Sequence, residues 1–272
     1  MNSNIPLGKE VSYLSTYKPN LLFPVPRKLN RQTLGIQDKL PFTGFDIWNA
    51  YEMSWLETGG KPRVAIAEII FAADSVNIIE SKSLKLYLNS FNQTHFSSPG
   101  EVTQLIREDL EKVAQGQVSI ALTLPGAFQH YTFSEPEGVC IDSPKIQTDC
   151  YNYNTASLVC DKGRIQECVY SNLLRSNCPV TGQPDWGTVI VNYTGRKISH
   201  SGLLRYIISF REHTGFHENC VEQIFADLME YCAPEALSVY ARFTRRGGID
   251  INPFRSTKGE VQFPGNYRTA RQ

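Results

Sequence analysis

The segments SLKLYLNSF (83–91) and GLLRYIISF (202–210) decide the architecture. Leu84, Tyr87, Ser90 and Phe91 recur as Leu203, Tyr206, Ser209 and Phe210, each 119 positions later. Leu88 and Ile207 complete an apolar spacing of i, i+3, i+4 and i+7, which is one face of a helix. At the same offset Val102, Leu105, Ile106 and Leu110 answer to Val221, Ile224, Phe225 and Met229, again at helical spacing. Next, VSIALTL (118–124) matches LSVYARF (237–243). Both are short and rich in branched or aromatic residues, as strands are. A match that keeps three elements in order marks an internal duplication.

Reading outward, Ser98-Pro99-Gly100-Glu101 starts the second helix of the first copy. It offers an N-cap serine, proline at the first helical position and glutamate three after the cap. Strand-like sequence precedes each helix pair, VAIAEIIFAA (64–73) and GTVIVNY (187–193). Each half therefore reads strands, two helices, strands. The expected class is α+β, with two similar modules in tandem, each an antiparallel sheet carrying two helices on one face. The expected division is a first module over 1–134, a connector with some strand over 135–166, and a second module over 167–272.

Composition narrows the function. With 41% apolar and 20% charged residues, the chain is too apolar for a disordered protein. The 27 basic side chains balance 27 acidic ones, so no global field draws it to nucleic acid or an anionic membrane. No apolar run is long enough to span a bilayer, since the best candidate, Val64 to Ala73, is broken by Glu68. Met1 to Glu10 lacks the basic-then-apolar layout of a signal peptide. The expectation is a cytoplasmic protein. Seven cysteines, an odd number without a C-x-x-C, argue against a disulfide scaffold and a zinc ribbon.

The two copies differ in their charged groups. The first has Glu80-Ser81-Lys82-Ser83 before its first helix, where the second has Ser199-His200-Ser201-Gly202. The second has Phe216-His217-Glu218 at the start of its second helix, opposite an uncharged Ser98-Pro99. It also has Arg245-Arg246-Gly247-Gly248 after the matched strand. This divergence suggests one composite site rather than two equal ones. A carboxylate in a first helical turn, such as Glu218, can accept two hydrogen bonds from the N–H edge of a guanine-like base. Phe216 could lie on the face of such a base; the alternative is a capping glutamate beside a core phenylalanine. Lys82 and the arginine–glycine turn suit phosphate, or form a solvated hairpin. The loop Ser176-Asn177-Cys178-Pro179-Val180-Thr181-Gly182-Gln183-Pro184-Asp185-Trp186 sets a cysteine among turn residues, seven positions before an aspartate. A thiol near pKa ~8.5 is only a few per cent ionised at pH 7, so a nucleophilic cysteine needs help. Asp185 or His217 could carry its proton. The alternative is a buried structural thiol. The spacing of His217, Glu218 and Cys220 fits no standard zinc set.

Three of these segments, 80–92, 176–186 and 216–218, together resemble the NADPH-dependent 7-cyano-7-deazaguanine reductases, the nitrile reductases of queuosine biosynthesis, in their long two-module form. The resemblance implies tandem tunnelling-fold (T-fold) modules and a homodimer. It implies Cys178 as nucleophile and Asp185 as proton donor. Glu80, Ser81, Lys82, Phe216, His217 and Glu218 would hold the deazaguanine, and Lys82, Ser83, Arg246 and Gly247 would contact NADPH. It further implies a covalent thioimide on Cys178, two NADPH per turnover and no metal. Two readings compete. A zinc-dependent pterin-type hydrolase on the same fold lacks a convincing ligand set. A purine-binding module without enzymatic activity would show ordinary thiol reactivity at Cys178 and consume no NADPH.

Overall fold

A computed structural model describes residues 14–37, 39–257 and 263–272. The chain divides into two units. The first comprises Met1–Thr33, Phe45–Thr132 and Arg245–Asp250; the second comprises Leu34–Gly44, Phe133–Thr244 and Ile251–Gln272. Against the expected division, 34–44 goes with the second unit and 245–250 with the first. The stretch 135–166, expected as a connector, lies within the second unit.

In the first unit the elements are β1 (Pro24–Pro26), α1 (Arg27–Thr33), β2 (Thr43–Glu57, whose first two residues belong to the second unit), β3 (Pro62–Ala72), β4 (Asn77–Ile79), α2 (Ser81–Asn89), β5 (His95–Phe96), α3 (Pro99–Ala114) and β6 (Val118–Thr123). β3 pairs antiparallel with both β2 and β6, and β2 carries an irregularity between Ala50 and Met53. Every second residue of β3, from Ala65 to Phe71, is buried, as a sheet with one covered face requires. α3 packs on β6 and β4. Its start is the cap read from the sequence, with Glu101 N donating to Ser98 Oγ at 3.2 Å.

In the second unit the elements are β7 (Val139–Cys140), β8 (Cys160–Asn177), β9 (Pro184–Ile198), α4 (His200–Ile208), α5 (His217–Cys232), β10 (Ala236–Phe243) and β11 (Ile249–Ser256), whose first two residues belong to the first unit. β8, β9, β10 and β11 form an antiparallel run. α4 packs on β8 and α5 on β10. Both units are thus α+β, antiparallel sheet with a helix pair.

The duplication is real, but its register is not constant. α2 and α4 begin 119 positions apart, whereas α3 and α5 begin 118 apart. One residue fewer joins the helices of the second copy. Val102, Ile106, Leu110 and Ala114 therefore correspond to Cys220, Ile224, Leu228 and Cys232, all buried. The helices end on left-handed residues at the same offset, Gln115 (φ 50°) and Ala233 (φ 46°). The gapless 119 offset is corrected on this point. α5 buries a wide stripe that includes Val221 and Phe225, so a one-residue slip still matches apolar with apolar. Pro99 and Gly100, rather than Ser98 and Pro99, stand opposite His217 and Glu218.

The same tie recurs in each copy. Tyr17 and Tyr87 both donate to Asp109 Oδ2 at 2.7 Å. Tyr153 donates to Asp227 Oδ1 at 2.9 Å, and Tyr206 donates to Oδ2. Each tie fastens the first helix of a pair to the second, and Phe91 and Phe210 brace it edge-on at 5.2 and 5.3 Å from Tyr87 and Tyr206. α5 is further held by a buried ion pair, Arg255 donating to Glu222 Oε1 through Nε (3.0 Å) and Nη2 (2.8 Å).

Candidate active site

Within the second unit, the antiparallel register of β8 and β9 sets Ser176 opposite Asp185 and Asn177 opposite Pro184. The intervening loop closes on itself: Cys178 N donates to Gln183 O at 2.9 Å, and Gly182 N to Cys178 O at 3.0 Å. Gly182 takes φ +67°, a conformation that costs a side-chain-bearing residue energy. Cys178 is buried rather than displayed on the surface. Asn177 N donates to His213 O and Gly215 N to Asn177 O, which ties the loop to the segment leading into α5.

That segment delivers His217 and Glu218 in the first turn of α5. His217 Nε2 lies 3.4 Å from Asp185 Oδ2. Its Nδ1 is buried and meets no hydrogen-bond partner among the described residues. Glu218 and Asp185 are both buried. Cys220 belongs to the same cluster. Burial pushes its thiol up to about 12, and the nearby Asp185 and Glu218 carboxylates push the same way. Cys220 is therefore a thiol at neutral pH. Phe216 is the N-cap residue of α5 and provides no side-chain cap.

Two contributors escaped the sequence reading. The Phe243 ring lies parallel to the His217 imidazole, centroids 3.9 Å apart and planes 6° apart. Cys220 was weighed there only as a zinc ligand. Neither role has a local signal, because both depend on how β10 and α5 meet.

Within the first unit, the Glu80 side chain caps α2. Oε1 accepts from Lys82 N at 2.9 Å and Oε2 from Ser83 N at 2.8 Å. Ser83 is fully buried; its hydroxyl donates to Glu80 O at 2.6 Å and accepts from Phe23 N at 3.0 Å. Ser81 and Lys82 open the helix half-buried. Arg246 and Gly247 lie in a tight turn, Arg246 N donating to Ile249 O at 2.9 Å. Gly247 and Gly248 have φ +57° and +74°. At φ +74° a side chain on Gly248 would be strained, and its Cβ would also stand 2.4 Å from the carboxyl carbon of Glu52, which would have to swing away. Beside the turn runs a cleft of about 180 Å³, lined by Lys85, Asn89, Glu52 and both glycines among others. Among the described residues, no group of three or more His, Cys, Asp or Glu side chains is arranged to hold a metal ion.

A family profile described as nitrile reductase, 7-cyano-7-deazaguanine-reductase N-term, matches residues 13–122, and one described as QueF-like protein matches 184–262. Cys178 falls between the two. Full-length relatives bridge that gap. The NADPH-dependent 7-cyano-7-deazaguanine reductase of Desulfotalea psychrophila is 56% identical, covering 100% of this chain and 99% of its own. That of Paraburkholderia xenovorans is 52% identical, covering 98% of each. Among solved structures, the archaeosine synthase QueF-Like in the apo form is 16% identical over 37% of this chain and 99% of its own, with a TM-score of 0.32, too slight a likeness to bear on the fold. At such identity over its whole length, the chain belongs to the NADPH-dependent 7-cyano-7-deazaguanine reductase family.

Proposed function

We propose that the chain reduces the nitrile of 7-cyano-7-deazaguanine to the primary amine 7-aminomethyl-7-deazaguanine through a covalent thioimide on Cys178. The observation that carries this is the pairing of Asp185 with His217 at 3.4 Å, beside a buried cysteine loop and a buried glutamate.

The nitrile carbon is a weak electrophile. Cys178 sulfur adds to it, and the thiol proton ends on the nitrile nitrogen. Asp185 carries that proton, taking it from sulfur and handing it to nitrogen. His217 shares the proton with Asp185 and keeps the carboxyl ready for the next transfer. The resulting C=N carbon bears sulfur and is a better hydride acceptor than the nitrile. Cys178 must later leave: the C–S bond breaks with its electrons on sulfur as the nitrogen lone pair forms the C=N bond of the imine, and the Asp185–His217 pair takes the proton that nitrogen sheds and returns it to sulfur. Glu218 accepts N–H donors of the deazaguanine, and its place in the first turn of α5 favours the ionised carboxylate. Phe216 flanks the base.

When bound, NADPH supplies hydride, two equivalents per product because a nitrile gains four electrons on becoming an amine. The residues fit an anionic cofactor. Lys82 and Arg246 bring two cations, Gly247 and Gly248 a stretch of turn without side chains, and the cleft beside these glycines, lined also by Lys85 and the Glu52 carboxylate, has room for a phosphate or one ring of a dinucleotide. Ser83 has its polar atoms engaged within the fold and supports the Glu80 cap instead. Each Glu80 oxygen retains a lone pair after capping, so it can also accept an N–H. The homodimer, the cytoplasmic location and the lack of direct nucleic-acid contact belong to the same proposal. Balanced charge supports the last. Among the described residues no helix is long and apolar enough to cross a membrane.

The test is absorbance at 340 nm with 7-cyano-7-deazaguanine and NADPH. Two NADPH consumed per substrate, none with Cys178→Ala, is the expected result. No consumption by folded wild type would reject the proposal and favour a purine-binding module.

A further inference from the structure

The strand that carries Asp185, β9, also builds a shelf for its partner through its pairing with β10. Phe243 closes β10 directly opposite Gly187 of β9. Phe243 is fully buried, and its backbone is held on both sides: its N–H donates to Asn252 Oδ1 at 3.3 Å, and its carbonyl accepts from Gln272 Nε2 at 3.2 Å. One residue on, Thr244 N donates to Trp186 O at 2.8 Å, adjacent to Asp185. The Phe243 ring then lies flat against His217 at 3.9 Å. Gly187 is what lets it lie there. A Cβ on Gly187 would meet Phe243 Cδ1 at 3.1 Å and Cε1 at 3.3 Å, so an added methyl forces the ring to move by a few tenths of an ångström.

We propose that Gly187 and Phe243 are positioning residues that fix the plane of His217 and so aim its Nε2 at Asp185. Neither need touch substrate. The inference rests on the reading of Asp185 and His217 as the proton carriers. A flat stack removes rotation of the imidazole about its own bond, which a merely apolar neighbour would allow. The titratable groups gathered around His217 are Asp185 from β9 and, on its own helix, Glu218 and Cys220, the last in the field of both carboxylates. With the ring released, the 3.4 Å contact has no other support on the histidine side among the described residues, because Nδ1 has no partner.

The experiment compares Phe243→Leu, Phe243→Tyr, Gly187→Ala and the Gly187→Ala/Phe243→Leu double variant. Phe243→Leu should lower kcat on the order of ten- to a hundredfold with KM within about twofold, the signature of a displaced proton carrier rather than lost binding. It should also displace a limb of the kcat–pH profile. Phe243→Tyr keeps the ring and should recover both. Gly187→Ala should lower kcat by itself but add little in the Phe243→Leu background, because it acts through that ring. Additive losses, or an unchanged pH profile in Phe243→Leu, would overturn the proposal. NMR titration of the His217 imidazole gives a readout that needs no turnover. A midpoint unmoved by Phe243→Leu overturns the shelf even where the wild type reduces the nitrile. Failure of the wild type to form the Cys178 adduct overturns the reaction instead.

Discussion

The two buried cysteines near Asp185 should behave as opposites. Cys220 is pushed up to about 12 by burial and two carboxylates. At pH 7.5 its thiolate fraction is about 3 × 10⁻⁵, against about 10% for an unperturbed thiol, a deficit of roughly three-thousandfold. The thiolate is the nucleophile, and since a thiolate of higher pKa is also intrinsically more reactive, attack on a nitrile by Cys220 should be slower by on the order of a hundredfold before accessibility is considered. The assay is to incubate the protein with 7-cyano-7-deazaguanine, without NADPH and with a phosphine reductant, and to locate the added mass by peptide mapping. The adduct should sit on Cys178, persist in Cys220→Ala and vanish in Cys178→Ala. Iodoacetamide gives a second measure, labelling Cys220 at least a hundredfold more slowly than an exposed thiol. Adduct on Cys220, or labelling of Cys220 within tenfold of an exposed thiol, would refute the reasoning.

Asp185→Asn keeps the shape but cannot carry the proton, and kcat should fall on the order of 10²–10⁴-fold in the 340 nm assay. Glu222→Gln strands the buried Arg255 and should cost about 3–5 kcal/mol in denaturant unfolding, whereas Glu222→Leu with Arg255→Met should cost much less. His213, edge-on to Phe210, is held below its ordinary pKa by burial. Its neutral form is favoured in the fold, so its contribution is complete above about pH 6.5 and is lost as pH falls through the lowered value. His213→Gln should therefore lose less stability than wild type between pH 7 and 5, read from unfolding midpoints.

The helix pairs were legible because their apolar spacing survives duplication, and the Ser98 cap was legible because its signature is local. The register of α3 against α5 was not. A helix buried on a broad face gives the same apolar match at 118 and at 119, and only the ends, Ser98 against Phe216 and Gln115 against Ala233, separate them. His217 and Glu218 stood out as residues the first copy lacks, and Cys178 and Asp185 as a cysteine in a turn-rich loop seven positions before an aspartate. Whether Asp185 meets His217 was beyond sequence, since it depends on the β8–β9 register and on where α5 starts. Glu80 stood out by the same divergence, but its capping of α2 shows only in the backbone geometry. The long β8 was partly hidden in what reads as a connector, because its exposed first half lacks apolar alternation.

One difference between the copies has a kinetic meaning. The Ser98 hydroxyl seals the first turn of α3, while Phe216 leaves that of α5 without a side-chain seal. A missing cap of this kind costs on the order of 1 kcal/mol, felt locally. α5 is pinned one turn further in, by Glu222 and Arg255. Its tip should breathe while its body stays shut, and backbone amides at Glu218 and Asn219 should exchange with solvent deuterium about fivefold faster than those at Gly100 and Glu101. The turn that carries His217 and Glu218 would then be the part of the second unit freest to close around a guest.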